Sequence, residues 1–182
     1  MRVIVNLTDE EINKAKGLAK KRNEKEKYFG RGRHGHLSDK AGSSEASHAA
    51  GLIAEIAVAK HFGVQIDERI FDKHGDDGYD MVIDALGGKV DVKSFIDHGN
   101  GMVMKDPHLK VPCEKKKDLE KMKNVDVYLG VCYEKKKPKE VHLFGWETKD
   151  NLLKKGRKKR YGQQYPLNYV LYENELNPIP IH

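Results

Sequence analysis

The stretch Asp80-Met-Val-Ile-Asp-Ala-Leu-Gly-Gly-Lys-Val-Asp91-Val-Lys93 has the pattern of two short strands joined by a turn. Alternate residues of a strand share a face, so Asp91 and Lys93 point one way while the valines beside them point to the opposite, apolar side. The first strand adds the carboxylate of Asp80. Two carboxylates and one ammonium that converge beside a hairpin can hold a divalent cation and stabilise charge that develops on a phosphate. The stretch therefore predicts a metal-dependent phosphodiesterase.

Two registers are open for this hairpin, and they differ in whether the acids meet. A two-residue turn at Gly87-Gly88 would set Asp91 opposite Asp84 and leave Asp80 roughly 13 Å away along the strand. A four-residue connection from Asp84 to Gly87 would instead set Asp80 opposite Asp91, with their Cβ atoms about 5 Å apart. We favour the second register, with Asp84 as the fallback ligand under the first. An exposed hairpin whose charges are merely solvated is the alternative to either.

The composition of the whole chain fits one domain with an excess of positive charge. Its 182 residues can bury a core, and a hydrophobic content of 38% excludes compositional disorder. The formal net charge of +6 favours an anionic partner, which could be nucleic acid, a membrane surface or an acidic protein. Cys113 and Cys132 form no CxxC pair, which excludes a zinc ribbon and indicates a reducing compartment. No apolar run approaches the roughly 20 residues that span a bilayer, so we expect a cytoplasmic protein without a membrane partner.

The order of predicted elements favours an α/β fold in which a mixed sheet is flanked by helices. Thr8 and Glu11 form a capping-box pattern before a helix over about residues 9–26. A second helix is predicted from Ser43 or Ser44 to about His61. Further strands are predicted at residues 109–111, 125–133, 140–146 and 169–172, and short helices at 118–123 and from Thr148 to about Leu153. No repeat or linker divides the chain, so residues 1–182 are expected to form a single domain.

Three short motifs occur in the order that is typical of one nuclease family. Gly78-Tyr-Asp80 followed by Asp91-Val-Lys93 resembles the signature of the PD-(D/E)XK nuclease superfamily, in which an acid opens one strand and an acid-x-lysine triplet lies on the next. Gly51-Leu-Ile-Ala-Glu55 resembles the upstream glutamate motif of many members. The likeness covers residues 44–95 well and continues more loosely to about residue 153. The chain departs from the family pattern in having Tyr79 in place of proline and an aspartate in place of glutamate in the triplet.

This resemblance implies a restriction-endonuclease-like core, with a central four- or five-stranded mixed sheet and helices on both sides. It implies that Asp80, Asp91 and the backbone carbonyl of Val92 bind a metal, and that Glu55 completes the shell directly or through a water. Lys93 would orient the attacking water or stabilise the pentacovalent phosphate. Hard oxygen ligands suit Mg²⁺, with Mn²⁺ as the alternative cation. For Glu55, an ion pair on the helix surface is the competing interpretation.

Two basic segments are candidates for nucleic-acid contact. The first is the run 154–160, treated as an elaboration of the core, whose six cations are Lys154, Lys155, Arg157, Lys158, Lys159 and Arg160. Lysines and arginines supply sequence-independent affinity for phosphates, although a solvated loop is the competing interpretation. Arg31 and Arg33, in a glycine-rich segment, are weaker candidates that would order on binding, and simple flexibility of that segment is the favoured interpretation. Tyr161 and Tyr165 adjoin the first segment and could stack on bases, whereas Tyr128 and Trp146 are expected in the core.

The sequence thus predicts a Mg²⁺-dependent deoxyribonuclease, expected to act as an endonuclease with a metal-activated water. The alternative is a non-catalytic nucleic-acid-binding protein on the same fold; a protein-binding scaffold is a third possibility. A protein that only binds nucleic acid has no need for Asp80, Asp91 and Lys93 together, because two carboxylates repel a phosphate unless a metal ion lies between them. The motifs of serine hydrolases, P-loop enzymes and dinucleotide-binding enzymes are absent. The DNA substrate stays open, as does a homodimer, which double-strand cleavage would require unless nicking is sequential.

Overall fold

The structure, a computed structural model, describes residues 2–28, 43–69, 78–99, 101–163 and 165–181. The strands of these residues are, in chain order, β1 (Val3–Asn6), β2 (Met81–Ile83), β3 (Gly88–Asp97), β4 (His108–Pro112), β5 (Val127–Glu134), β6 (Glu140–Thr148), β7 (Arg157–Lys159) and β8 (Asn168–Tyr172). The helices are α1 (Asp9–Tyr28), α2 (Ser43–Phe62), α3 (Met102–Lys105), α4 (Lys116–Lys123) and α5 (Lys149–Lys155).

Five strands form a central mixed sheet in the spatial order β1-β6-β5-β3-β2. Strands β3 and β5 run parallel, and the other neighbours are antiparallel. Helices pack on both faces of this sheet, which confirms the predicted α/β class with a mixed sheet of five strands. A second sheet, of order β4-β8-β7, was not predicted. The strand predicted at 109–111 belongs to this second sheet and not to the central one.

One face of the central sheet is covered by α1 and α2, and this face holds the larger core. Val90 and Val92 of β3 are buried there, so the alternation of the strand turns Asp91 and Lys93 to the other face. Helix α2 is buried along its whole central part, residues 52–59. This is wider than one amphipathic stripe, because α2 lies between α1 and the sheet.

The opposite face of the central sheet is covered by the second sheet together with α4 and α5. A smaller core joins these elements, and it contains Leu109, Val111, Met122, Val125, Tyr128, Leu152 and Leu171. The basic run 154–160 therefore does not form the solvated loop of the competing interpretation. It forms the last turn of α5 and strand β7, because β7 pairs with β8 and closes the second sheet.

The predicted helix caps are present, and they explain where the helices begin. The backbone N–H of Thr8 donates to Glu11 Oε2 at 2.7 Å, and the N–H of Glu11 donates to Thr8 Oγ1 at 3.2 Å, which forms the expected capping box. The Oγ1 atom of Thr148 accepts from the N–H of Asn151 at 3.3 Å at the start of α5. Helix α1 ends at Tyr28 rather than near residue 26, and α5 ends at Lys155 rather than near residue 153.

Candidate active site

The hairpin that joins β2 to β3 has the register that brings the two acids to neighbouring positions. Met81 pairs with Val90 and Ile83 pairs with Gly88, so the pairing continues to Asp80 and Asp91. The connection is a single 3₁₀ turn over Asp84–Leu86, followed by Gly87 with φ of 95°. That φ lies in the left-handed region that favours glycine. The four-residue connection is confirmed. Asp84, the fallback ligand under the other register, lies in the 3₁₀ turn and its side chain is exposed.

The carboxylate of Asp80 is fixed by the backbone of the next strand. Its Oδ2 atom accepts a hydrogen bond of 2.7 Å from the N–H of Val92, and its own N–H donates to the carbonyl of Val90 at 2.9 Å. The N–H and C=O of one strand residue point to the same edge of the strand. The carbonyl of Val92 therefore faces the edge of β3 on which Asp80 lies, as a metal ligand at that position requires.

Three carboxylates act on one another at this edge. The pKa of Asp80 is raised well above its usual value, first by burial and then by the negative charges of Asp91 and Glu55. The hydrogen bond from Val92 and the charge of Lys93 oppose this shift. All four residues predicted to be catalytic are thus close enough to interact electrostatically, although they come from one helix and two strands.

Lys93 is held by a carboxylate and an aromatic ring. Its Nζ atom lies 2.6 Å from Asp91 Oδ2 and 2.9 Å from Asp91 Oδ1. The same Nζ lies 6.0 Å from the ring centroid of Tyr128. Tyr128 pairs directly with Asp91 in the register of β3 and β5, and its pKa is raised by burial and, to a smaller extent, by the charge of Asp91. Tyr128 was expected in the core, and it is buried, but its contact with the site depends on a pairing that no local pattern indicates.

A glycine lies beside Lys93 in the sheet. Lys93 pairs with Gly130, and the ring of Phe144 occupies the space that a side chain at position 130 would fill. A Cβ atom there would overlap the Phe144 ring. The lysine stem is therefore bordered by Tyr128 on one side and Phe144 on the other.

Glu55 reaches the site from helix α2. It is buried, with 9% of its surface exposed, so it does not lie on the helix surface as the competing interpretation required. Gly51 lies one turn earlier, where an added Cβ atom would be 3.7 Å from Glu55 Oε1. The motif Gly51–Glu55 therefore places a small residue next to the carboxylate that acts on Asp80.

The donor set suits a hard cation, although the protein does not supply a complete ligand shell. Within the described part of the chain, no three His, Cys, Asp or Glu side chains are gathered as a metal-binding group. Mg²⁺ keeps several of its waters and needs few carboxylates, so Asp80, Asp91 and the Val92 carbonyl are the groups that would hold it, with Glu55 completing the shell directly or through a water. A cation between the carboxylates would relieve the repulsion that raises the pKa of Asp80.

Most cations of the basic run are engaged by groups of the protein itself. Arg157 pairs in bidentate fashion with Glu175 at 2.7 and 2.8 Å, Arg160 pairs with Glu114, and Lys155 Nζ lies 3.4 Å from the buried Glu147. These pairs reduce the charge that Lys155, Arg157 and Arg160 can offer to a phosphate. The better candidates of the run are Lys154 and Lys158, which are exposed, and Lys159, whose Nζ donates to the Tyr172 hydroxyl at 2.6 Å.

The other predicted nucleic-acid contacts, Arg31 and Arg33, lie outside the described residues. Comparison of the chain with protein-family models, curated proteins and solved structures finds no match. Among the described helices, none is both long and apolar enough to cross a bilayer. The function must therefore be argued from the residues of the site.

Proposed function

We propose that the protein is a divalent-metal-dependent nuclease that hydrolyses DNA phosphodiester bonds. The observation that carries this proposal is the hydrogen bond from Val92 N–H to Asp80, which aligns Asp80 with the Asp91–Lys93 pair on the next strand. The same elements in the same chain order characterise the PD-(D/E)XK superfamily, which the sequence motifs resemble. Glu55 on α2 adds the third carboxylate of that pattern.

Each residue has a role that follows from its position. Asp80, Asp91 and the Val92 carbonyl would hold Mg²⁺ or Mn²⁺, and Glu55 would orient a water beside them. When bound, the cation lowers the pKa of a water and neutralises charge on the phosphate oxygens. Lys93 carries a compact charge at the end of a flexible stem, which suits it to orient the attacking water or to stabilise the phosphate.

The charge distribution favours cleavage over simple binding. Three carboxylates at one sheet edge would repel a DNA backbone, and a protein that only binds DNA gains nothing from them. The electrostatic repulsion between Asp80, Asp91 and Glu55 is explained if the three carboxylates bind a cation. The net charge of +6 is consistent with a polyanionic substrate.

The test is incubation of the protein with plasmid, single-stranded and branched DNA in the presence of Mg²⁺, Mn²⁺ or EDTA. We expect cleavage that requires the metal and that is lost in Asp91→Asn, Lys93→Ala and Glu55→Gln, with DNA binding largely retained. Asp84→Asn is the matched control, because it removes an exposed acid from the same hairpin. Absence of metal-dependent cleavage on every substrate would favour the non-catalytic nucleic-acid-binding protein, and so would equal activity of Asp84→Asn and Asp91→Asn.

A further inference from the structure

The second sheet has one apolar face and one face rich in cations and aromatic rings. Leu109 and Leu171, which pair with each other, are buried in the smaller core beneath the central sheet. Alternation along the strands turns another set of side chains to the opposite face. The strand pairing places on it His108, Lys110, Tyr172, Arg157 and Lys159.

Tyr161 follows β7 and lies over this face. Its side chain is 43% exposed, and its ring stacks on His108 with a centroid distance of 5.6 Å and an interplanar angle of 25°. Lys110 Nζ lies 4.2 Å from the centroid of the same ring, which is a cation–π distance. The ring of Tyr161 is therefore both held in place and open to solvent.

The cations next to Tyr161 are available to an anion. Within the described residues Lys110 Nζ contacts no carboxylate, and burial lowers its pKa. The nearby His108 carries a buried Nε2 atom that makes no hydrogen bond to any described residue.

The face also borders an acidic cleft, and Asp106 of that cleft acts electrostatically on Tyr161 and His108. Arg157 is neutralised by Glu175, and the cleft of about 480 Å³ beside it is lined by Asp106, Glu173 and Glu175. Carboxylates of this kind repel phosphates. A polyanion on this face is therefore expected to avoid the cleft and to contact the half that contains Lys110.

That half adjoins the active site. Lys110 Nζ lies 5.6 Å from the ring centroid of Phe95. Phe95 is two positions after Lys93 on β3, so it shares the face of Lys93 and lies about 7 Å along the strand. Cationic and aromatic groups thus continue from Lys93 through Phe95 and Lys110 to Tyr161.

We propose that Lys110, Lys159, Tyr161 and His108 form a platform for single-stranded DNA that leads into the active site. Bases stack on Tyr161, and phosphates contact Lys110 and Lys159. Proteins hold single strands by this combination of exposed aromatic rings and a cationic track, whereas duplex DNA presents no unstacked base to a tyrosine. The inference rests on the proposed nuclease function, and it names the substrate as DNA with an unpaired strand.

Binding of a fluorescein-labelled oligothymidine, measured by fluorescence anisotropy in EDTA, tests the platform without cleavage. Stacking on an aromatic residue contributes about 1–3 kcal/mol per base, so Tyr161→Ala should weaken binding about fivefold or more while Tyr161→Phe binds like the wild type. Lys110→Ala and Lys159→Ala should each reduce the slope of log affinity against log salt by roughly 0.7. Tyr165, the other tyrosine that the sequence offered for stacking, is 45% exposed but makes no ring contact with His108 or Lys110 within the described residues. The platform therefore does not include it, and Tyr165→Ala should bind like the wild type as the matched control.

Several results would overturn the platform. One is unchanged oligothymidine binding in Tyr161→Ala and Lys110→Ala, with melting temperatures that show folded proteins. Others are an equal loss of duplex binding in Tyr161→Ala, or tighter binding of an oligouridine RNA than of the DNA. Cleavage assays with Mg²⁺ separate this inference from the nuclease proposal. If the wild type cleaves DNA but the platform variants bind oligothymidine as well as the wild type does, only the platform is rejected. Binding that depends on Tyr161 and Lys110 without cleavage of any substrate rejects only the nuclease.

Discussion

The backbone N–H of Val92 donates a 2.7 Å hydrogen bond to the Oδ2 atom of Asp80. This bond joins the residue that precedes β2 to strand β3 through a carboxylate. It directs Asp80 towards Asp91 and within range of the charge of Glu55. The bond therefore fixes the position of the Asp80 carboxylate, but it also leaves that carboxylate close to the negative charges of Asp91 and Glu55. The effect on stability and on metal binding can be measured.

The repulsion predicts that Asp80→Asn raises thermal stability in EDTA. The amide oxygen can still accept the hydrogen bond from Val92, while the charge that faces Asp91 and Glu55 is removed. For a chain of this size, each kcal/mol of relief should raise the melting temperature by about 2–4 °C. Differential scanning fluorimetry is the measurement, and a lower melting temperature of the variant would contradict the prediction.

The same carboxylates predict that Mg²⁺ stabilises the wild type. A ligand that binds only the folded state at a concentration of 100 times its Kd adds about 2.7 kcal/mol. The rise in melting temperature on addition of Mg²⁺ should disappear in Asp91→Asn and persist in the exposed control Asp84→Asn. This readout is independent of cleavage, and an equal rise in all three proteins would argue against a cation at Asp91.

Packing next to Lys93 predicts that Gly130→Ala damages both stability and activity. The new Cβ atom would overlap the ring of the buried Phe144, and overpacking of this kind costs typically about 1–3 kcal/mol. Gly17→Ala in α1 should have the opposite sign, because nothing lies within 4 Å of the added Cβ and alanine favours the helix by about 0.8–1.0 kcal/mol. The free energy of unfolding of both variants, measured in urea, checks the prediction. A loss of stability in Gly17→Ala as well would contradict it, because any added methyl group would then destabilise the fold.

The buried carboxylate of Asp97 is expected to make the stability of the fold depend on pH. Burial alone would raise its pKa, but hydrogen bonds from the N–H groups of Gly99, Gly101, Met104 and Val103 outweigh burial and lower it. Because the folded-state pKa is below the unfolded value of about 3.9, the stabilisation is present above that value and is lost as the pH falls through the folded-state pKa. Asp97→Asn should therefore melt at a lower temperature than the wild type at neutral pH. The difference should shrink below about pH 4; a difference that is constant with pH would show that the charge does not matter.

The ion pairs of the basic run predict unequal contributions to DNA affinity. Arg157 is already neutralised by Glu175, whereas Lys154 is exposed at the end of α5. Lys154→Ala should reduce the salt dependence of duplex binding more than Arg157→Ala does. Anisotropy titrations over a range of salt concentrations measure this, and the reverse order would show that DNA displaces Glu175 from Arg157.

Several elements could be predicted because their signals are local. The capping box at Thr8 and the cap at Thr148 involve residues three positions apart, and both are observed. The apolar run at 125–133 indicated β5 because a strand buried on both faces needs no alternation. The hairpin register could be argued because the connection is short and the alternation of β3 separates Val92 from Lys93.

Other elements could not be predicted because their stability comes from distant partners. Strand β1 is four residues long and is formed by pairing with β6, and β7 is a basic tripeptide formed by pairing with β8. A basic tripeptide carries no strand signal, and the β-branched residues of β1 do not indicate which strand it pairs with. The same reason conceals the contact of Tyr128 with Lys93, which depends on the parallel pairing of β3 with β5.

The sequence by itself determined α1, α2, α4 and α5, the hairpin and the candidate acids, because caps, turns and alternation act over a few residues. Only the tertiary structure decided that Glu55 is buried near Asp80 and that Tyr128 lies under Lys93. It also decided which cations are neutralised: Arg157 is paired with Glu175, whereas the ammonium of Lys110 contacts no carboxylate among the described residues. Those relationships arise from sheet order and from the packing of two sheets. The spacing of residues along one chain does not contain that information, because the free energy of long-range packing selects which distant side chains meet.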